Sequence, residues 1–316
     1  MLSQFADRAV GGCGKCTAGG GVDFRLLGPV EVWAGRQRLD AGPRQQRLVL
    51  AILALRANQV VPVDQLIALT WAQAPPESAR HSIQVRVSLL RALLADAGAD
   101  RDDVRIVTRG STYVLQTDPQ RVDAHRFRTL VNQARYERDD AAKARLLRRA
   151  LGLWRGPPLA DVATPQTEPL CHGLDEARVL ALEDWVDAEL RLGRHDAIIQ
   201  ELTEQAADHP YRQRLLAQLM LALYRAGRRS DALAAYRWAR RQLLVEFGDD
   251  PQPELQRLVA AMLRADPALD LSRGRRDRAT AAPVRRHPRR WRGRLRTIRI
   301  SGSPSARPPE PDPGDS

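Results

Sequence analysis

The groups best suited to chemistry fall in one stretch, ESARHSIQVRVSLLRALL at 77–94. Ile83, Val87, Leu90 and Leu94 recur every three or four residues, which at about 100° per residue places them on one side of a helix. His81, Gln84, Val85, Ser88, Leu89 and Ala92 fall on the other side, flanked by Arg80, Arg86 and Arg91. Guanidinium groups hold phosphates, the amide of Gln84 can pair with adenine, and the apolar Val85 can meet a thymine methyl. The chemistry implied is recognition of a nucleic-acid groove rather than bond making. An ordinary amphipathic helix with a solvated back has the same spacing, so the neighbouring elements must decide.

Those neighbours form an ordered set. FRLLG and VEVWAGRQRL alternate as short strands, with Ala34-Gly35 as the turn between them. Pro43 opens a helix, where its missing N–H costs nothing, and RQQRLVLAILALR supplies a stripe through Leu48, Ile52 and Leu55. Pro62 opens a second, VDQLIALTW, with Leu66, Ile67 and Trp71, and Pro75-Pro76 breaks the chain before the 77–94 helix. After Ala97-Gly98, VRIVTRG and STYVLQ predict a strand, a short basic turn and a second strand. Three helices followed by a hairpin are the layout of a winged helix-turn-helix, in which the third helix enters the major groove and the wing reaches an adjacent groove or the backbone.

From Asp123 the pattern is wholly helical, with helices expected at about 124–136, 139–153, 168–192, 195–208, 211–226, 229–246 and 252–264. Gly193 and Gly227 lie 34 residues apart. Each is followed by an arginine and then a helix with small residues at its crossing point, Ala197 in one copy and Ala232 and Ala239 in the other. With Leu216, Leu219, Leu223 and Tyr236, this resembles a tetratricopeptide repeat, and Pro210 sits where such a repeat ends. Two helices cannot hide their apolar faces alone, so stacked pairs make the core. The expected fold class is mostly α with a small β component: an N-terminal winged helix-turn-helix, then an all-α tetratricopeptide-like domain, with disordered termini.

The net charge of +12 over 316 residues is uneven. Twelve arginines crowd Arg273–Arg299 beside the single Asp277, and everything from Ser272 onward carries +9, so the rest of the chain is near +3. That tail, rich in Arg and Pro, is expected to be disordered and to hold any polyanion at low salt. Residues 1–22, glycine-rich and ending in Gly19-Gly20-Gly21 before Val22, are expected to be a disordered leader. Cys13, Cys16 and Cys171 are too few for a disulfide scaffold, and Cys13-Gly-Lys-Cys16 is half a zinc site with no second pair. The leader's glycines and Lys15 lack the order of a phosphate-binding loop, and the six histidines, His195 and His209 among them as surface or cap residues, show no metal-ligand spacing. No enzyme constellation is present, no metal or cofactor is expected, and no run reaches the length needed to cross a bilayer, so a cytoplasmic place is expected.

Taken together, the order of motifs resembles the Streptomyces antibiotic regulatory proteins, transcriptional activators that join an OmpR-type winged helix to a bacterial transcriptional activation domain. The matching stretches are FRLLGPVEVWAG (24–35), GPRQQRLVLAILAL (42–55), VPVDQLIALTW (61–71) and the 77–94 helix, then ALGLWRGPPLADV (150–162), LEDWVDAELRLGRH (182–195) and HPYRQRLLAQLMLALYRAGRRSDALAAYRWARRQLLVEFG (209–248). The resemblance implies a DNA-binding domain at 23–118 and an activation domain at 123–267. It also implies DNA contacts from Arg80, Ser82, Gln84, Val85, Ser88 and Arg91 and from Arg109 on the wing. Arg80 and Arg91 would hold phosphates, and Arg109 would enter or grip the neighbouring groove. The implied partners are double-stranded promoter DNA, RNA polymerase through its sigma factor or alpha subunit, and a second copy of the chain on direct repeats. No membrane partner is implied.

Two departures from the family pattern bear on affinity. Members typically show Ser-Arg-Leu-Arg-Arg near the end of the recognition helix, where this chain has Ser88-Leu89-Leu90-Arg91-Ala92, and Thr112 stands before Tyr113 in place of a glycine. Fewer cations should weaken the salt-dependent part of binding. Leu89 and Leu93 are expected to pack against the second domain or the loop before the wing. The alternative function is a protein-interaction module whose winged helix has lost DNA affinity, favoured by Leu89 and Ala92 and opposed by Arg80, Gln84, Ser88 and Arg91.

Overall fold

Alternation at the start of the described chain makes a strand because every second side chain has a core to meet. β1 (Val22–Arg25) buries Val22 and Phe24 and turns Asp23 and Arg25 outward. It pairs antiparallel with β2 (Glu31–Ala34), and β2 pairs with β3 (Gln37–Leu39) across a tight turn at Gly35-Arg36. The computed structural model describes residues 21–71, 75–99 and 104–270. Val22, expected at the end of the leader, therefore belongs to the sheet. The leader up to Gly20, with Cys13 and Cys16, and the arginine-rich tail lie outside the described residues.

α1 (Arg44–Leu55) starts directly after Pro43 and is more deeply covered than a one-sided stripe. Every residue from Leu48 to Ala54 is buried, because helices and a strand close around it. α2 (Val63–Thr70) and α3 (Ala79–Asp96) pack on α1 and on each other. A second sheet has the order β4-β6-β5, from β4 (Val61–Pro62), β5 (Arg105–Arg109) and β6 (Thr112–Gln116). β5 and β6 are the expected hairpin, turning at Gly110-Ser111. β4 was not expected, since two residues are too short to alternate and only the pairing of Val61 with Tyr113 and Pro62 with Thr112 reveals the strand.

The helical region runs α4 (Asp123–Tyr136), α5 (Asp140–Leu151), α6 (Glu168–Arg191), α7 (His195–Asp208), α8 (Gln213–Arg225), α9 (Arg229–Phe247) and α10 (Pro253–Leu263). Each falls within two residues of its expected bounds. Among the described residues no helix is long and apolar enough to cross a membrane. The two repeat glycines do the same work: Gly193 and Gly227 take φ of 77° and 74°, a left-handed conformation that side chains resist. In both copies the next N–H reaches back to close the helix, Arg194 to Glu189 O at 3.0 Å and Arg228 to Leu223 O at 2.8 Å. One expectation is corrected here. Ala197 is exposed, and the buried position five residues beyond the glycine is Ile198, matching Ala232 in the second copy.

The stretch LWRGPPLADV has a definite mechanical role: it locks the first sheet to the helical region. Arg155 N donates to Leu27 O at 2.8 Å, Leu159 N to Leu26 O at 3.0 Å and Ala160 N to Gly28 O at 3.2 Å. Gly28 has φ of 147°, and a Cβ there would sit 3.0 Å from Arg155 Cβ, so the close approach requires glycine. Asp161 accepts from Val30 N at 2.8 Å and from Arg47 Nε of α1 at 3.0 Å. The Phe127 and Trp154 rings meet edge to face at 5.4 Å, filling the core of the helical region just behind this seam.

Candidate nucleic-acid interface

α3 is held on its inner side by Ile83, Val87, Leu90 and Leu94, none more than 3% exposed. Its flanks are held by two arginines. Arg86 Nη1 donates to Ser82 O at 2.9 Å, Arg86 Nη2 donates to Gln45 Oε1 of α1, and the guanidinium lies 5.3 Å over the Trp71 ring. Burial lowers the Arg86 pKa from its ordinary value. On the opposite flank Arg91 Nε donates to Ile106 O at 2.8 Å and Nη2 to Thr108 Oγ1 at 2.6 Å, both on β5 of the wing. Arg91 also stands 6.0 Å over the Tyr113 ring of β6. The recognition helix and wing are thus fixed to each other by one forked side chain.

What remains outward is His81, Gln84, Val85, Ser88, Leu89 and Ala92, the set marked out by the 3.6-residue period. Ser82 is half-buried at the edge of this face. Arg80 is exposed at the helix start and pairs with Asp64 of α2 at 2.6 Å. With both partners in water, that pair contributes little and is readily exchanged for a phosphate. Arg109 projects beside the Gly110-Ser111 tip, and among the described residues its guanidinium meets no ion-pair partner. Across 75–116 six arginines stand against Glu77, Asp96, Asp100, Asp102 and Asp103, so the charge of this stretch is nearly balanced and the placement of the exposed arginines, rather than an excess of them, must serve a phosphate.

The structure therefore divides the expected site. Arg80, Gln84, Val85 and Ser88 are open along α3, Arg109 is exposed on the wing, Ser82 sits at the margin of the helix face, and Arg91 is turned into the wing. Leu89 is 52% exposed near the outermost line of the helix, without the cover expected from the second domain; residues 100–103 of the loop before the wing, the other expected partner, lie outside the described residues. Leu93, one step further round, is half-buried against the core. Sequence reasoning missed Gln45 as the partner of Arg86; the only available signal was that Arg86 falls nearly sideways on the helix, where it faces neighbouring elements.

Two family models match the chain in succession. Residues 37–115 match the family described as Transcriptional regulatory protein, C terminal, and residues 122–263 match the Bacterial transcriptional activator domain. The regulatory protein DnrI of Streptomyces peucetius is 38% identical over 259 residues, covering 79% of this chain and 94% of DnrI. AfsR of Streptomyces griseus is 38% identical over 249 residues, 78% of this chain, but the match spans only 25% of AfsR. The solved structure of Mycobacterium tuberculosis EmbR in complex with a low affinity phosphopeptide superposes with a TM-score of 0.73 at 37% identity, covering 78% of this chain and 66% of that one. With both domains matched in order and nearly all of DnrI covered, the chain belongs to the Streptomyces antibiotic regulatory protein family of transcriptional regulators.

Proposed function

We propose that the chain is a sequence-specific activator that reads promoter DNA with α3 in the major groove and grips the adjacent backbone with the wing. The observation that carries this is the open face of α3, with Gln84, Val85 and Ser88 exposed for base edges, Arg80 at the helix start for a phosphate, and Arg109 exposed on the wing for another. Arg86 and Arg91 then act as positioning residues that fix the angle of helix and wing. In this reading residues 23–118 read DNA and 123–267 activate. Side-by-side copies occupy direct repeats, and the helical region contacts the neighbouring copy or RNA polymerase. A secondary-metabolite promoter is the target class, the place of action is the cytoplasm, and no catalysis is involved.

A footprint of the full chain and of the chain ending at Leu271, at near-physiological salt on promoters flanking its own gene, tests this. Expected is protection of regularly spaced repeats by both, weakened by Gln84→Ala and Arg109→Ala. Binding by the full chain alone, without preferred sites and lost as salt rises, assigns the affinity to the arginine tail and sinks the proposal in favour of a protein-interaction module.

A further inference from the structure

The crest of α3 is apolar, and the arginines nearest to it are committed elsewhere. Measured round the helix from Val85 at about 100° per residue, Ala92 lies about 20° away, Leu89 and His81 about 40° to either side, and Ser88 about 60°. Arg86 and Arg91 lie about 100° and 120° round, and their forks are spent on Gln45 and the Ser82 carbonyl, and on Ile106 and Thr108. Val85 and Leu89, one turn apart, are 43% and 52% exposed.

This arrangement selects among bases. Guanine is read in the major groove by an arginine that sends a free fork to O6 and N7, and neither Arg86 nor Arg91 has one. Thymine presents a methyl group, the only apolar handle on a major-groove edge. We propose that Val85 and Leu89 together form a thymine-methyl reader, so that the half-site is specified by thymines at two nearby positions rather than by guanine. The inference rests on the DNA-reading role proposed above. Four residues advance about 6 Å along the helix, and base pairs stack at about 3.4 Å per step, so the two thymines stand about one to two steps apart. DNA is favoured over a protein as the occupant because the apolar pair is only two side chains wide. Beside it on the helix are the hydrogen-bonding Gln84 and Ser88, and beyond Gln84 the exposed Arg80.

The test uses the full wild-type chain and the duplex it protects, with each dT of the half-site replaced in turn by dU, which lacks only the methyl. Because the protein is unaltered, no loss of folding can imitate the result. Expected is a three- to tenfold loss of affinity at two positions, about what one buried methyl contributes. Leu89→Ala should abolish the sensitivity at one of them and Val85→Ala at the other, with melting temperatures unchanged. A sequence-specific footprint indifferent to dU everywhere overturns the proposal while leaving the DNA-reading role intact. So does a Leu89→Ala chain that keeps the dU sensitivity and the footprint but loses transcription, which would place a protein on the crest. Absence of any specific footprint overturns the DNA-reading role, and this inference with it.

Discussion

Leu26 and Asp123 are 97 residues apart in sequence, yet the Leu26 N–H donates to Asp123 Oδ1 at 2.8 Å. The other carboxylate oxygen takes the Leu27 N–H at 3.1 Å and lies 3.7 Å from Arg155 Nη2. One buried side chain at the start of α4 thus caps the end of β1 and ties the winged helix to the helical region. Burial pushes the Asp123 carboxyl pKa up, while the two N–H groups and Arg155 draw it down. Asp123→Ala should strand two buried donors at about 1–3 kcal/mol each. At about 2–4 °C per kcal/mol for a chain of this size, the melting temperature of the full chain should fall by several degrees. Asp123→Asn, which keeps one acceptor, should fall by less, and equal melting of all three chains would refute the tie.

Arg91 and Arg109 make opposite predictions although both are wing-side arginines. Arg109 is free to neutralise a phosphate, so Arg109→Ala should reduce the salt slope of DNA binding by about one. Arg91 is a clamp, and its value lies in a fork that reaches Ile106 and Thr108 together. Lysine keeps the charge but not the fork. Arg91→Lys should therefore weaken binding nearly as much as Arg91→Ala, both with an unchanged salt slope. If Arg91→Lys restores wild-type affinity instead, Arg91 is a phosphate contact.

The fold was legible in the sequence wherever a period repeated long enough to be counted. The stripe of Ile83, Val87, Leu90 and Leu94 marked the buried side of α3, and the paired glycines marked the helix ends at Arg191 and Arg225. Partnership was not legible. Nothing local distinguishes Arg91, bound to the wing, from Arg109, open to solvent, because the difference lies in what stands opposite. The same holds for Leu89, whose apolar type argued for cover but whose angle on the helix leaves it outside. β4 and the seam of Asp123, Arg155 and Asp161 depend on pairings across 50 to 130 residues, which no periodicity records.

His125 should make the body of the protein acid-sensitive. Its Nε2 meets Ala54 O, near the end of α1, at 3.2 Å, and burial lowers its pKa despite that hydrogen bond. The neutral ring is the folded form. As pH drops below about 6.5 the unfolded chain takes up the proton first. The stability present at neutral pH is then lost progressively until the folded-state pKa is passed. Thermal melts at pH 7 and 5 should show a fall in wild type that is shallower in His125→Gln. Identical slopes would exclude His125 as the source.

Arg214 sits over a covered carboxylate in the helical region. It reaches Glu183 Oε2 at 3.2 Å, Asp184 Oδ1 at 2.8 Å and Asp187 Oδ2 at 2.6 Å, while the Glu183 side chain is only 2% exposed. Burial raises the Glu183 pKa and the nearby Arg214 opposes it. Arg214→Met leaves that carboxylate buried without its cation. Breaking a fully buried pair costs about 3–5 kcal/mol, and because Arg214 is half-exposed to water the expected loss is nearer 2–3 kcal/mol. Two further measurements separate this cause from lost packing. Adding Glu183→Gln removes the stranded charge and should recover part of the loss in denaturant melts. The deficit of Arg214→Met should also shrink from pH 7 toward pH 5, since a carboxyl with a raised folded-state pKa binds its proton more tightly when folded and so gains stability as pH falls. A deficit constant with pH and untouched by Glu183→Gln would mean that Arg214 serves by packing alone.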